Sequence, residues 1–151
     1  MADRVLFELV TPERLLISTE VEMVVVPGTE GNFGVLPGHA PLISTIRPGT
    51  IDIYENRVIT QQFFVVGGLA EVIPERCTVL AEEAMAPSAL NRAELDAELT
   101  EVEGNLPTLR DQMGRATGAD RDRLAIELRQ MERRANVARA KLQAATGGAG
   151  H

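Results

Sequence analysis

The stretch Arg76-Cys77-Thr78-Val79-Leu80-Ala81-Glu82-Glu83-Ala84-Met85-Ala86-Pro87-Ser88-Ala89-Leu90-Asn91-Arg92-Ala93-Glu94-Leu95 decides the fold, because the spacing of apolar residues changes within it. Before Ala86, Cys77, Val79 and Ala81 alternate with Thr78 and Glu82, the period of two of a half-buried strand. After Ser88 the period is helical: Leu95, Leu99, Val102, Leu106, Leu109 and Met113 advance by four and three, which keeps them on one narrow stripe. The change at Pro87 predicts two domains, residues 1–87 and 88–146, with a disordered tail at 147–151.

Upstream of this point the period of two dominates. Val5, Phe7 and Leu9 face one way and Glu8 the other; Val21, Met23 and Val25 oppose Glu20 and Glu22; Ile51 and Ile53 flank Asp52. Turn formers punctuate these runs at Thr11-Pro12, Pro27-Gly28, Pro37-Gly38, Pro48-Gly49, Glu55-Asn56, Gly67-Gly68 and Ile73-Pro74. Short strands at close spacing predict an all-β sandwich or small barrel.

Downstream, Leu124, Leu128, Met131, Ala135, Ala138 and Leu142 repeat the first seam's steps. Gly114, Thr117 and Gly118 predict a turn between the two, with Asp120 as the cap of the second helix. Pro107 sits in phase inside the first seam and predicts a kink or a restarted helix. The expected architecture is therefore an all-β sandwich N-terminal domain followed by a C-terminal antiparallel two-helix hairpin. Ordering the backbone costs about 1–2 kcal/mol per residue, so a hairpin this thin is marginal alone and has room for a second, undocked conformation.

Composition narrows the function. In 151 residues, 44% are hydrophobic and 25% charged, which suits a globular chain. A net charge of -7 disfavours nucleic acid as a partner. Residues 119–151 run against that balance, with seven basic and four acidic side chains, and hint at an anionic partner surface. Cys77 is the only cysteine, so no internal disulfide is expected and a buried, inert thiol in a reducing compartment fits. The N-terminus lacks the apolar core of a signal peptide and the acid-poor character of a transit peptide, and no apolar run is long enough to span a membrane.

Catalytic patterns fail one by one. Lys141 is the only lysine, so a phosphate-cradling loop with its lysine is absent. Gly28, Gly31 and Gly34 have GxxGxxG spacing and no helix follows them, so they are turn glycines. His39 and His151 are the only histidines, no nucleophile elbow occurs, and Glu82-Glu83 is a solvated pair. The expectation is no enzyme activity, no metal site and no cofactor.

Gly28-Thr-Glu-Gly-Asn-Phe-Gly-Val-Leu-Pro-Gly-His-Ala-Pro-Leu42 resembles the signature of the ATP synthase epsilon family, called delta in mitochondria. Phe7 to Pro12 is similar to that family's opening strand, Arg47-Pro-Gly-Thr-Ile51 to its central turn, and Val66 to Val72 with Val79-Leu-Ala81 to its closing hairpin. The resemblance implies a central-stalk rotor subunit, itself non-catalytic, that couples proton flow through the membrane c-ring to ATP synthesis in the alpha-beta head. It implies that Glu30, Gly31 and Asn32 face the c-ring, and that Gly34, Pro37, Gly38, His39 and Leu42 contact gamma. It also implies a regulatory hairpin that inhibits ATP hydrolysis by touching an acidic segment of beta. On that reading Arg123, Arg134 and Lys141, which share one flank of the second helix, carry the contact.

One motif departs from the family. Some members bind ATP at Ile/Leu-Asp-x-x-Arg-Ala; here Asn91 replaces the Asp and Glu94 the Arg, which predicts weak or no ATP binding. One lysine against fourteen arginines and the missing transit peptide point to a bacterial chain, with a plastid-encoded one as the alternative, at the cytoplasmic face of the inner membrane and attached only through its complex. The competing reading is a free-standing β-sandwich adaptor whose hairpin docks on another helical protein; co-purification with alpha, beta and gamma separates the two.

Overall fold

The structure, a computed structural model, describes residues 4–149, with side chains through Ala145. The chain divides into a unit that ends at Ala89 and one that begins at Leu90.

The first unit contains β1 (Val5–Val10), β2 (Leu15–Val21), β3 (Met23–Gly28), β4 (Gly31–Val35), β5 (Leu42–Ile46), β6 (Gly49–Glu55), β7 (Val58–Val65), β8 (Gly68–Ile73), β9 (Arg76–Ala81) and β10 (Ala84–Met85). One 3-10 turn, Pro87–Ala89, closes it. The strands bond in the order β10-β7-β6-β3-β5-β8-β9-β1-β2, with β4 on β3. Among the described strands only β1 with β9 is parallel. β3 links the two halves of the sandwich: Met23–Val25 pair with β6, and Gly28 pairs with β5 on the other half.

Alternation explains most of the core. Val5, Phe7, Leu9, Ile51, Ile53, Cys77 and Val79 are buried, as their phase predicts. Burial pushes the Cys77 thiol up to about 12, so it stays protonated and unreactive.

Two expected features are corrected. Val21, Met23 and Val25 do not share a face. The chain bends at Glu22, so the period restarts: Val21 closes β2, and β3 buries Val24 and Val26 instead. Pro27-Gly28 is not a turn but the end of β3. Proline has no N–H to donate, and here its carbonyl accepts the Arg47 N–H at 3.0 Å. The turn itself is Thr29-Glu30.

Two local devices hold the strands in register. Gly68, at φ +130°, lies so close to β9 that a Cβ there would sit 2.1 Å from the Leu80 carbonyl oxygen. The β6–β7 turn uses Asn56 and Arg57 at φ 52° and 67°, the double positive φ that suits strand twist. Beside it Arg4 Nη2 donates to the Glu20 carbonyl at 2.8 Å and to Glu55 Oε1. Glu55 also accepts the Glu22 N–H at 3.1 Å, and Glu22 Oε2 accepts the Asn56 N–H at 3.0 Å.

The second unit is a hairpin of α1 (Arg92–Arg115) and α2 (Gly118–Ala149). Asn91 caps α1, its Oδ1 accepting the Glu94 N–H at 3.0 Å. Val102, Leu106 and Ala135 are buried, with Leu99, Leu128 and Met131 packed around them, all members of the predicted seams. α1 runs unbroken through Pro107. Gly114 falls inside α1 rather than in the turn, which is only Ala116 and Thr117. Asp120 lies within the first turn of α2 instead of capping it, where a negative charge still complements the helix dipole. The tail expected at 147–151 falls mostly outside the described residues: α2 reaches Ala149, and side chains after Ala145 are not described. Among the described residues no helix is long and apolar enough to cross a membrane.

Candidate functional site

The β3–β4 hairpin projects Glu30, Gly31 and Asn32 into solvent at its tip. Gly31 turns there at φ +133°, which favours glycine. Arg47 braces the tip from behind: Nη1 donates to the Gly28 carbonyl and Nη2 to Asn32 Oδ1. Thr29 N–H donates to the Thr45 carbonyl at 3.1 Å, and the two threonine hydroxyls lie 2.8 Å apart. Between Glu30–Phe33 and Leu42–Thr45 lies an open groove of about 500 Å³. Glu30, Gly31, Asn32 and Leu42 thus line one concavity, although the resemblance assigns them to two partners.

The other expected contact residues lie along β4 and just beyond it. Gly34 is exposed on β4 opposite Val25. Pro37-Gly38 forms the following turn, anchored by the Gly38 N–H on the Pro74 carbonyl at 2.8 Å. His39 N–H bonds the Leu36 carbonyl at 3.1 Å, and its Nδ1 lies 2.6 Å from the Ala40 carbonyl, to which it donates. Leu36 beside it is exposed. None of these residues lines the groove.

Sequence reasoning missed a larger surface. The register places Thr45, Leu69, Leu80, Val10 and Leu15 opposite one another in turn across β5, β8, β9, β1 and β2. All stand at positions that alternate with core residues, so Leu69, Leu80, Val10 and Leu15 form an apolar row on the outward face. Leu69, Leu80 and Leu15 are 37%, 49% and 53% exposed, and Ile43 on the next row is 66% exposed. That next row is otherwise polar, with Thr78 Oγ1 donating to Glu8 at 3.2 Å and Arg76 paired to Glu8 at 3.7 Å. The signal was present as large apolar residues in solvent-facing phase, Leu80 between Val79 and Ala81 above all. A soluble sandwich face of this kind alternates polar residues outward unless something covers it.

The structure places the three expected hairpin cations differently from a free basic flank. Arg123 pairs with Asp120 at 3.7 Å, and Arg134 reaches Glu98 on α1 at 3.4 Å. Lys141 is half-buried. Two further pairs cross between the helices, Arg139–Glu103 at 2.7 Å and Arg110–Glu132 at 3.2 Å. Among the described residues no group of three or more His, Cys, Asp or Glu could hold a metal.

The family model described as the β-sandwich domain of the ATP synthase delta/epsilon chain matches residues 4–87. The chain belongs to the ATP synthase delta/epsilon family. It is an epsilon-type chain, a subunit of ATP synthase other than the catalytic one. The epsilon chain of Rhodospirillum centenum is 50% identical over 131 residues, covering 85% of this chain and 86% of the relative. That of Rhodospirillum rubrum is 46% identical over 128 residues, covering 85% and 96%. Among solved structures, a chain of the Euglena gracilis mitochondrial ATP synthase (OSCP/F1/c-ring) superposes with a TM-score of 0.70. It covers 100% of this chain and 84% of its own at 20% identity, a likeness of fold.

Proposed function

We propose that this delta/epsilon-family chain works as a central-stalk subunit, gripped by gamma and resting on the c-ring, so that rotation driven by proton flow reaches the catalytic head. The observation that carries the reading is the apolar row from Leu69 to Leu15 on the outward sheet face. A surface of this kind is stabilised by burial under a partner, at about 25 cal/mol per Å² of apolar area removed from water. The gamma contact runs from Gly34, Pro37, Gly38, His39 and Leu42 onto that row. The tip at Glu30, Gly31 and Asn32 meets polar loops of the ring through the groove. Membrane association comes through the complex, at the cytoplasmic face of a bacterial membrane.

The hairpin is read as a regulatory arm whose basic second helix, with Arg123, Arg134 and Lys141, meets an acidic segment of beta and slows hydrolysis. The test compares ATP hydrolysis by a catalytic head rebuilt with the full chain and with a chain ending at Ala89. Faster hydrolysis with the shorter chain supports the arm as an inhibitor, and equal rates remove that role. Failure of both chains to join the head would sink the stalk reading and favour the adaptor.

A further inference from the structure

α1 and α2 carry opposite charge. On α1, six acidic residues (Glu94, Asp96, Glu98, Glu101, Glu103, Asp111) stand against Arg92, Arg110 and Arg115. From Gly118 onward seven basic residues stand against four acidic ones. Two pairs join a basic α2 residue to α1, Arg134–Glu98 and Arg139–Glu103, at 3.4 and 2.7 Å. At about 100° per residue Glu98 and Glu103 fall on opposite sides of buried Val102, so one pair clasps each flank of the seam. The chemistry that fits α2 is thus displayed within the molecule: an acidic helix laid antiparallel against it.

We infer that α1 is an intramolecular stand-in for the acidic partner of α2. Glu98 and Glu103 occupy Arg134 and Arg139, and the outside partner gains those arginines only by displacing them. This rests on the reading above that α2 meets an acidic segment of another subunit. Among the described residues the hairpin has a narrow core of six buried apolar residues, Leu95, Val102, Leu106, Leu109, Ala135 and Ala138. Exposed ion pairs are individually weak and salt-sensitive. Exchange of these two arginines between an inner and an outer acidic helix therefore turns on small, salt-sensitive differences, which the inner glutamates help to set.

The test titrates a rebuilt catalytic head with full-length chain and reads inhibition of ATP hydrolysis. The variants are E98Q/E103Q, R134Q/R139Q and all four together. Glutamine keeps shape while removing charge, and helicity by circular dichroism checks that each hairpin is folded. Removing the two competitors is expected to lower the half-inhibiting concentration about three- to tenfold, from two exposed pairs. R134Q/R139Q should raise it, and the quadruple variant should behave like R134Q/R139Q. If the wild type does not inhibit, inhibition should emerge in E98Q/E103Q and vanish in the quadruple variant. If the arginine variant weakens inhibition while E98Q/E103Q changes nothing, the stand-in is wrong and the regulatory reading survives. If the quadruple variant inhibits as tightly as E98Q/E103Q, the glutamates act without these arginines and the inference falls. If the arginine variant matches the wild type and no variant alters inhibition, the regulatory reading itself fails.

Discussion

Leu69 of β8 and Leu80 of β9 face each other directly across the strands, both pointing away from the core. They are 37% and 49% exposed, so covering them under a partner adds about half of what full burial of each, roughly 1.5–3 kcal/mol, is worth. Replacing both by threonine, which keeps β propensity, should leave urea stability within about 1 kcal/mol of wild type. Binding to gamma should weaken tenfold or more, because about 1.4 kcal/mol is one decade. Calorimetry that found unchanged affinity would take this row out of the interface.

Gly68 and Gly31 separate steric from conformational cost. Both have positive φ, at +130° and +133°, but a Cβ on Gly68 meets the Leu80 carbonyl oxygen at 2.1 Å, whereas nothing lies within 4 Å at Gly31. Gly31→Ala should cost about 1–2 kcal/mol of backbone strain. Gly68→Ala must also push β9 away, and should cost about 3 kcal/mol or more in urea unfolding. Equal losses would mean that β8 and β9 yield without resistance.

The Arg4 guanidinium, donating to Glu55, holds that carboxyl below its ordinary value of 4.5, helped by the Glu22 N–H. A group depressed in the folded state stabilises above its unfolded value and loses that contribution as pH falls through the folded one. Glu55→Gln should therefore lower Tm at pH 7, and the gap to wild type should close as pH drops below about 4. Melting curves across that range check it; a gap that does not narrow as pH falls would show that the glutamine disturbs the turn in some other way.

The two periods and the break near Pro87 made the fold class legible, since burial on one face imposes them on the residues. Phase across turns was not legible: nothing in Glu20-Val21-Glu22-Met23 says that the strand bends at Glu22 and restarts on the opposite parity. Likewise Pro27-Gly28 has turn composition, but the strand tolerates a proline whose missing N–H is not needed. Glu30, Gly31 and Asn32 came from the resemblance rather than from turn composition, and they stand exposed at the tip of the β3–β4 hairpin. The outward leucines were overlooked because an apolar residue beside core residues reads as more core until pairing shows which side it faces. The cations of α2 were legible as a cluster, but their partners on α1 depend on helix register.

Asn91 is occupied in this fold. Its Oδ1 caps α1 by accepting the Glu94 N–H at 3.0 Å, and Glu94 follows in the first turn as an anion near the positive end of the helix dipole. The ATP-binding form of this segment, as the family resemblance describes it, carries an aspartate and an arginine at these two places. Here an uncharged cap and a negative charge would face a polyphosphate, which the glutamate repels. Calorimetric titration of the full chain with ATP is expected to show no micromolar binding. Asn91→Ala should destabilise the hairpin by about 1 kcal/mol through loss of the cap, and Asn91→Asp should not. Micromolar ATP affinity in the wild type, lost in Asn91→Ala but not in Asn91→Asp, would instead make Asn91 a nucleotide ligand.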